Sequence, residues 1–258
     1  MENINVNRNQ VLNQLQELVE ISFNKKLSYM PDSFNIEQQN ALKMFKQRIF
    51  LEGVIDNSLS FNRTLNWENP NKNLQLTTTA EDLVNVFKLR SDVYQSINYQ
   101  DEFPDTIEGL NFDNHDKNSA IIYYKSNNVI SGTIKVIYDA GIKLPSEEKY
   151  SFDYLRDKYK QLVELSRFVV ANNKPGLNQE FKYLFAGVHS LFMNNDIDLV
   201  LSSIRQDHYK MYTKFGGTKI EKELAGYGKL DVPFLVLSWN PAEASNFFKK
   251  VFLNNKKI

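Results

Sequence analysis

The chain has 258 residues, 31 basic and 31 acidic side chains, a formal net charge of zero, 42% hydrophobic residues and no cysteine. This length fits one domain with a sizeable appendage, or two small domains, and the charge balance gives no overall reason to expect nucleic acid as a partner. Without cysteine, disulfides, thiolate nucleophiles and Cys-based metal sites are all excluded. The N-terminus shows no basic, apolar, small-residue leader. No apolar run nears the ~18 residues that spanning a bilayer takes, so the expectation is a cytoplasmic protein with no transmembrane segment. Charge is uneven by segment: residues 73–160 carry fourteen acidic and ten basic side chains, residues 161–258 nine and thirteen. Such a split is either scatter or an acidic pocket beside a basic rim.

Residues 1–73 read as a helical extension. Val11, Leu12, Leu15, Leu18, Val19 and Phe23 share one helical face, and Pro31-Asp32-Ser33 breaks the pattern. A second helix follows from Ile36 to Ile55, with Ala41, Leu42, Phe45, Ile49 and Glu52 on a stripe. Trp67–Asn73 is polar, turn-rich and suits a linker.

From Leu74 the pattern changes. Leu74–Thr79 is β-prone, and Ala80-Glu81-Asp82 opens a helix with Thr79 as N-cap and an acidic first turn. Arg90 falls on that helix's apolar stripe, beside Phe87, Val93 and Tyr94. Ala120–Lys125 and Val129–Tyr138 predict a hairpin turned at Asn127-Asn128, and Tyr154–Tyr159 a short helix. Leu162–Val170 reads as a central strand and Asn178–Asn194 as the strongest amphipathic helix, with Phe181, Leu184, Phe185, Val188 and Phe192 inward. Leu199–Ile204 is a buried strand, and Gln206–Phe215 a short helix closed by Gly216-Gly217. Thr218–Leu224 and Pro233–Trp239 finish the sheet. Residues 241–258 form a separate basic tail, with one amphipathic helix over Pro241–Leu253 that offers a peripheral membrane contact.

Four phrases stand in order along residues 74–240: Leu89-Arg90-Ser91-Asp92-Val93-Tyr94, Phe112-Asp113-Asn114-His115-Asp116, Gly132-Thr133-Ile134-Lys135 and Glu164-Leu165-Ser166-Arg167-Phe168. Together they resemble the acyl-homoserine lactone (autoinducer) synthases and their N-acyl amino acid synthase relatives, members of the GNAT superfamily of N-acyltransferases. The resemblance implies an α/β (α+β) fold: a mixed central β-sheet flanked by helices, with a parallel strand pair splayed to admit a pantetheine. It also implies the reaction, transfer of a fatty acyl group from a carrier thioester to the amine of an amino acid or related small molecule. Two rivals stand beside it, an acyl-homoserine lactone synthase using S-adenosylmethionine and a non-catalytic acyl-carrier or lipid-binding module. No permanently bound cofactor is expected; acyl carrier protein, or CoA, brings the acyl group.

Amine acylation needs a base, a polarised carbonyl, an aimed amine and a protonated leaving thiolate. Glu164, a carboxylate in an apolar strand, is the expected base, its pKa raised by desolvation; the plain alternative is a buried carboxylate paired with an arginine. Residues three apart on a regular strand face opposite sides, so Glu164 and Arg167 share a cleft only if a bulge intervenes near Leu165-Ser166. GNAT enzymes use such a bulge to aim a backbone N–H at the thioester oxygen; otherwise Arg167 binds a carboxylate on the far side. Arg90 on an apolar face needs an anion, and Asp113 and Asp116 are the candidates. By resemblance this cluster shapes the amine pocket together with Tyr94, Ser166, Tyr99 (where the family has tryptophan) and Lys135 (where it has arginine). Lysine lacks the bidentate fork. Tyr212, four before Gly216, matches a Tyr-x-x-x-Gly pattern whose phenol protonates the leaving sulfur, or else it is a core tyrosine. His208 follows a strand end near the cleft, or caps a helix; His189 reads as packing. Asn173–Asn178 lacks the glycine-rich turn that holds a pyrophosphate in acetyl-CoA users, which favours acyl carrier protein as donor, docked on Lys174, Lys182, Lys210 and Lys214.

Overall fold

The computed structural model describes residues 35–253 apart from 70, 140, 142, 149 and 172–177. The expected helix over Val11–Phe23, the Pro31–Ser33 break and the turn with Lys174 lie outside the described residues. The chain divides into two compact units, Met1–Phe50 and Leu51–Ile258. The division falls inside helix α1 (Ile36–Thr64), which runs past the expected end at Ile55. In the second unit the end of α1 buries Val54, Ser58, Leu59 and Asn62. The Asn62 amide group donates to the Ser119 carbonyl at 3.3 Å and accepts from the Ile121 N–H at 3.2 Å, tying the helix to a strand edge.

Among the described residues seven strands build one sheet: β1 (Leu74–Leu76), β2 (Ser119–Ser126), β3 (Val129–Tyr138), β4 (Leu162–Val170), β5 (Leu199–Arg205), β6 (Thr218–Leu224) and β7 (Phe234–Trp239), in the spatial order β1-β2-β3-β4-β5-β7-β6. Of these strands only β4 and β5 pair in parallel. The β2–β3 hairpin turns where the sequence predicts: Asn127 (φ 52°) and Asn128 (φ 63°) both take the left-handed conformation of the two-residue turn that matches strand twist.

Helix α2 (Ala80–Ser96) starts at Thr79, whose hydroxyl accepts the Asp82 N–H at 3.2 Å, and packs across β3 and β4. After the short helix α3 (Asp153–Arg156) and β4, helix α4 (Gln179–Asn194) is capped by the Asn178 side chain accepting the Phe181 N–H at 2.7 Å. Its apolar side, Phe181, Leu184, Phe185, Val188, Leu191 and Phe192, joins Ile122, Ile134, Val136, Val163, Leu165 and Val200 in the main core. Gly187 lets α4 approach β1, since a Cβ there would lie 2.7 Å from a Leu74 methyl.

Two expectations change. Gln206–Phe215 is not one helix but a 3-10 turn, a single α-turn (α5, Tyr209–Tyr212) and a second 3-10 turn. It ends as expected at Gly216 (φ 77°), where a Cβ would meet the Glu243 carbonyl at 2.8 Å. The tail is likewise broken, into a 3-10 turn at Pro241–Glu243, α6 (Asn246–Phe248) and a π-turn at Lys249–Leu253. Asn240 and Ser245 each cap a fresh start, on Ala242 N–H at 3.1 Å and Phe248 N–H at 3.0 Å. Phe248 (0% exposed) and Phe252 (1%) sit in the main core beside Phe181, Phe185 and Phe215. Phe248 and Phe252 thus face protein, while Phe247 and Leu253 stay exposed. No helix among the described residues is long and apolar enough to cross a membrane.

Candidate active site

The parallel pairing of β4 with β5 runs from Leu162↔Leu199 to Leu165↔Ser202 and stops there, although β4 continues to Val170 and β5 to Arg205. The strands splay, and the gap opens a cavity of about 650 Å³. Phe168, Phe181, Phe185 and Met211 give it an apolar wall; Tyr94, Tyr99, Phe103, Glu164, Ser166 and Arg167 give it a polar and aromatic one. That combination suits a long-chain ligand with a polar reacting end.

A bulge in β4 decides what faces the cavity. Lys135 of β3 pairs with Ser166 and Thr133 with Val169, so two residues of β4, Arg167 and Phe168, oppose the single Ile134. Arg167 takes φ 51°, a left-handed conformation that costs a non-glycine residue about 1 kcal/mol. This swings Arg167 to the side of Glu164, with the bulge at Arg167-Phe168 rather than near Leu165-Ser166. Arg167 donates to Asp113 at 3.0 Å, and its guanidinium carbon lies 4.4 Å from the Phe103 ring centre and 5.8 Å from that of Tyr94.

Glu164 is 2% exposed. Its Oε2 accepts both the N–H (2.9 Å) and the hydroxyl (2.8 Å) of Ser146, from the loop after β3. Burial pushes the carboxyl up to about 7, against the two Ser146 hydrogen bonds and with a further push from the Glu147 charge. A carboxylate poised near neutrality suits a general base. Tyr227, on the β6–β7 hairpin, lines the same cavity; burial and then the charge of Glu164 push its phenol up to about 12.

Behind the cavity lies an ion cluster. Arg90 pairs with Asp116 at 2.8 Å; Lys135 reaches Asp113 at 2.9 Å and Asp116 at 3.3 Å. Arg90, Lys135 and Asp116 have wholly buried side chains and do not line the cavity, whereas Asp113 (27% exposed) and Arg167 (17%) form the outward end. The Asp-x-x-Asp spacing has a local cause: Asp113 caps a 3-10 turn (Asn114–Asn118), accepting the His115 N–H at 2.9 Å, while Asp116 accepts the Asp113 N–H at 2.8 Å. Burial would raise the Asp113 carboxyl, but Lys135 and Arg167 outweigh it and hold it well below the usual carboxylate range. Burial pushes the Lys135 ammonium down, against the pull of both aspartates. Three cations meet two carboxylates here, and Arg90 Nε, Arg90 Nη2 and Arg167 Nη1 have no hydrogen-bond partner among the described residues.

Tyr212 lines the cavity with its ring against Phe185 and Phe215, and burial pushes its phenol up, so it stays a proton donor. Tyr99 accepts from Arg205 at 3.3 Å, and His208, 58% exposed at the rim, lies 3.8 Å from Asp207. His189 packs on Trp239 and Phe248. The structure thus brings Tyr94, Tyr99, Glu164, Ser166, Arg167, His208 and Tyr212 to one cavity and sets Arg90, Asp113, Asp116 and Lys135 as its charged backing. Phe103, Ser146, Arg205 and Tyr227 belong to the site without any signal in the sequence reading. Ser146 and Tyr227 sit in connecting segments, where no periodicity marks which side chains point inward.

A mixed sheet with one splayed parallel pair, a bulged strand at the gap and a long helix between the parallel strands is the GNAT acyltransferase architecture. A family profile described as N-acyl amino acid synthase FeeM matches residues 85–240. Among solved structures, the chain is similar to FeeM, an N-acyl amino acid synthase from uncultured soil microbes (TM-score 0.53, 18% identity, covering 70% of this chain and 93% of that one). It is also similar to the acyl-homoserine lactone synthase LasI (0.51, 14%, 72% and 96%) and to BjaI, a CoA-dependent acyl-homoserine lactone synthase (0.51, 14%, 67% and 81%). At these identities the structural likenesses establish the fold. No curated protein sequence matches. The chain belongs to the N-acyl amino acid synthase FeeM family and is an acyltransferase.

Proposed function

We propose that the chain joins a fatty acyl group, delivered as a carrier thioester, directly to the α-amine of an amino acid, with Glu164, Tyr212 and Arg167 as the acting residues. The observation that carries the reading is the bulge, which turns Glu164 and Arg167 into the same cavity at the mouth of the splayed strands. Glu164 takes a proton from the ammonium. The freed amine attacks the thioester carbon, whose oxygen faces the backbone of β4 beyond Leu165, where pairing with β5 has ended. As the new C–N bond holds and the C–S bond breaks, the thiolate leaves with the proton of Tyr212, and the nitrogen gives its second proton back to the Tyr212 phenolate to become an amide, while Glu164 releases the first. One proton ends on the thiol and one returns to solvent.

Arg167, with one free N–H pair at the edge of a cluster carrying an extra positive charge, is suited to the acceptor's carboxylate. Arg90, Asp113, Asp116 and Lys135 hold that guanidinium in place. Tyr94, Tyr99, Ser166 and His208 complete the acceptor side and rim. Acyl carrier protein is the favoured donor: Lys210 and Lys214 are exposed, and Lys214 itself lines the cavity. A cytoplasmic site of action goes with that donor.

The test is product analysis. Purified protein is given matched acyl-carrier-protein and CoA thioesters, a mixture of amino acids and S-adenosylmethionine, and the extract is read by mass spectrometry. N-acyl amino acids are the expected product. Acyl-homoserine lactones, or unchanged thioester, would overturn the reading in favour of a lactone synthase or a binding module.

A further inference from the structure

Ser146 is the feature of the site that the reaction scheme above leaves unused. It lies outside the sheet, in the segment between β3 and α3, and is 2% exposed. Both of its donors, N–H and hydroxyl, meet the same oxygen of Glu164, at 2.9 and 2.8 Å. The segment is itself tied down. Glu147 accepts the Leu144 N–H at 3.0 Å, Glu147 N–H donates to the Leu144 carbonyl at 2.8 Å, and Arg156 of α3 grips Glu147 through Nε at 2.6 Å. A single serine in a pinned turn therefore fixes one oxygen of a carboxylate that lines the cavity.

We propose that Ser146 is a positioning residue for acyl transfer: it clamps Oε2 of Glu164, so that Oε1 alone is presented to the amine and receives its proton. The inference rests on Glu164 being the base. A carboxylate oxygen already accepting two hydrogen bonds is the less basic of the pair, and it remains a good carbonyl acceptor once the other oxygen is protonated. The proton thus lands at a fixed atom, and Glu164 need not rotate between the charged and neutral states. Ser146 also sets the proton affinity. Its two donors favour the charged form and oppose burial, while the other ionisable groups acting on Glu164 are Glu147 of the same segment, Lys135 of β3 and Tyr227 of the β6–β7 hairpin.

Ser146→Ala removes one donor and leaves the N–H. The expected result is an upward shift of about one pH unit in the acid limb of kcat, a charge-assisted hydrogen bond being of that size. Turnover then falls roughly five-fold at pH 7 and less than two-fold at pH 9, and Ser146→Thr, which keeps the hydroxyl, restores the wild-type limb. The acceptor's own amine titrates alike in every variant, so it drops out of the comparison. A second readout is independent of turnover: the carboxyl carbon signal of Glu164, identified by its loss in Glu164→Gln, should titrate about one unit higher in Ser146→Ala. An unmoved carboxyl titration, or a rate loss of equal size at every pH, overturns the role of Ser146. A moved titration with an unmoved rate profile supports the clamp and overturns Glu164 as base, so the two failures are distinguishable.

Discussion

Glu164 carries opposed demands on one side chain. Its carboxyl, raised to about 7 by burial, holds a proton in the folded state that the unfolded chain releases near the ordinary glutamate value of about 4.5. Between these values the folded state binds more protons, so stability falls as pH rises through the window and stays lower above it, by an amount on the order of 3 kcal/mol. Glu164→Gln keeps an oxygen for Ser146 and carries no charge to desolvate. Thermal unfolding should therefore show the variant matching wild type near pH 4.5 and exceeding it at pH 8. Turnover should drop by a factor on the order of 10² or more, the usual share of a general base. A variant as active as wild type would remove Glu164 from the chemistry. Tyr212→Phe should cost less, with the loss concentrated at neutral and higher pH, where solvent protons are scarce for the leaving thiolate. A pH–rate profile of unchanged shape would leave Tyr212 as a packing residue.

At the scale of elements, the bulge in β4 is the piece that converts a strand into a site. Its cost sits at Arg167, held at φ 51°. Glycine adopts that conformation without penalty and alanine does not, so Arg167→Gly should be more stable than Arg167→Ala by about 1 kcal/mol in urea titrations, with acyl transfer lost in both. Equal stabilities would mean that the strand has relaxed to a regular register. The sequence pointed to this element without deciding it: Glu-x-x-Arg on an apolar strand calls for either an extra residue or an arginine turned to the far side, and the structure has the extra residue. Leu162–Val170 is bounded in the structure where its β-branched, apolar run begins and ends. The hairpin at Asn127-Asn128 and the cap at Thr79 were readable because local chemistry fixed them. Ser146 was not, since a serine in a turn is ordinary until a distant carboxylate is seen beside it. The tail misled because Phe248 and Phe252 keep helical spacing while Asn240 and Ser245 each restart the backbone.

Across the whole molecule, charge supplies the remaining prediction. Residues 161–258, the basic segment, contribute Lys210 and Lys214 to the exposed surface by the cavity, whereas Lys182 is half-buried on α4. Docking of the proposed acidic carrier there would be electrostatic, and its affinity should fall as salt rises past physiological strength, where the Debye length is about 8 Å. Acyl-carrier-protein thioesters should outcompete matched CoA thioesters in kcat/KM at low salt, and Lys210→Glu with Lys214→Glu should abolish that preference while CoA-dependent turnover persists. Identical use of both donors at every salt concentration would leave a long-chain acyltransferase without a carrier surface.

The strand order has a bearing on how the protein is made. β7 is the last strand in sequence, yet it lies between β5 and β6, and Phe248 and Phe252 beyond it fill the core next to α4. During synthesis the sheet can grow from β1 through β5, but β6 has no neighbour until β7 leaves the ribosome, and Phe181 and Phe185 of α4 lack the Phe252 ring beside them until it follows. A nascent chain paused after β6 would show a bare β5 edge and a row of phenylalanines, the features by which chains aggregate and chaperones find them. Closure of this acyltransferase therefore waits until β7 and Phe252 are both clear of the ribosome.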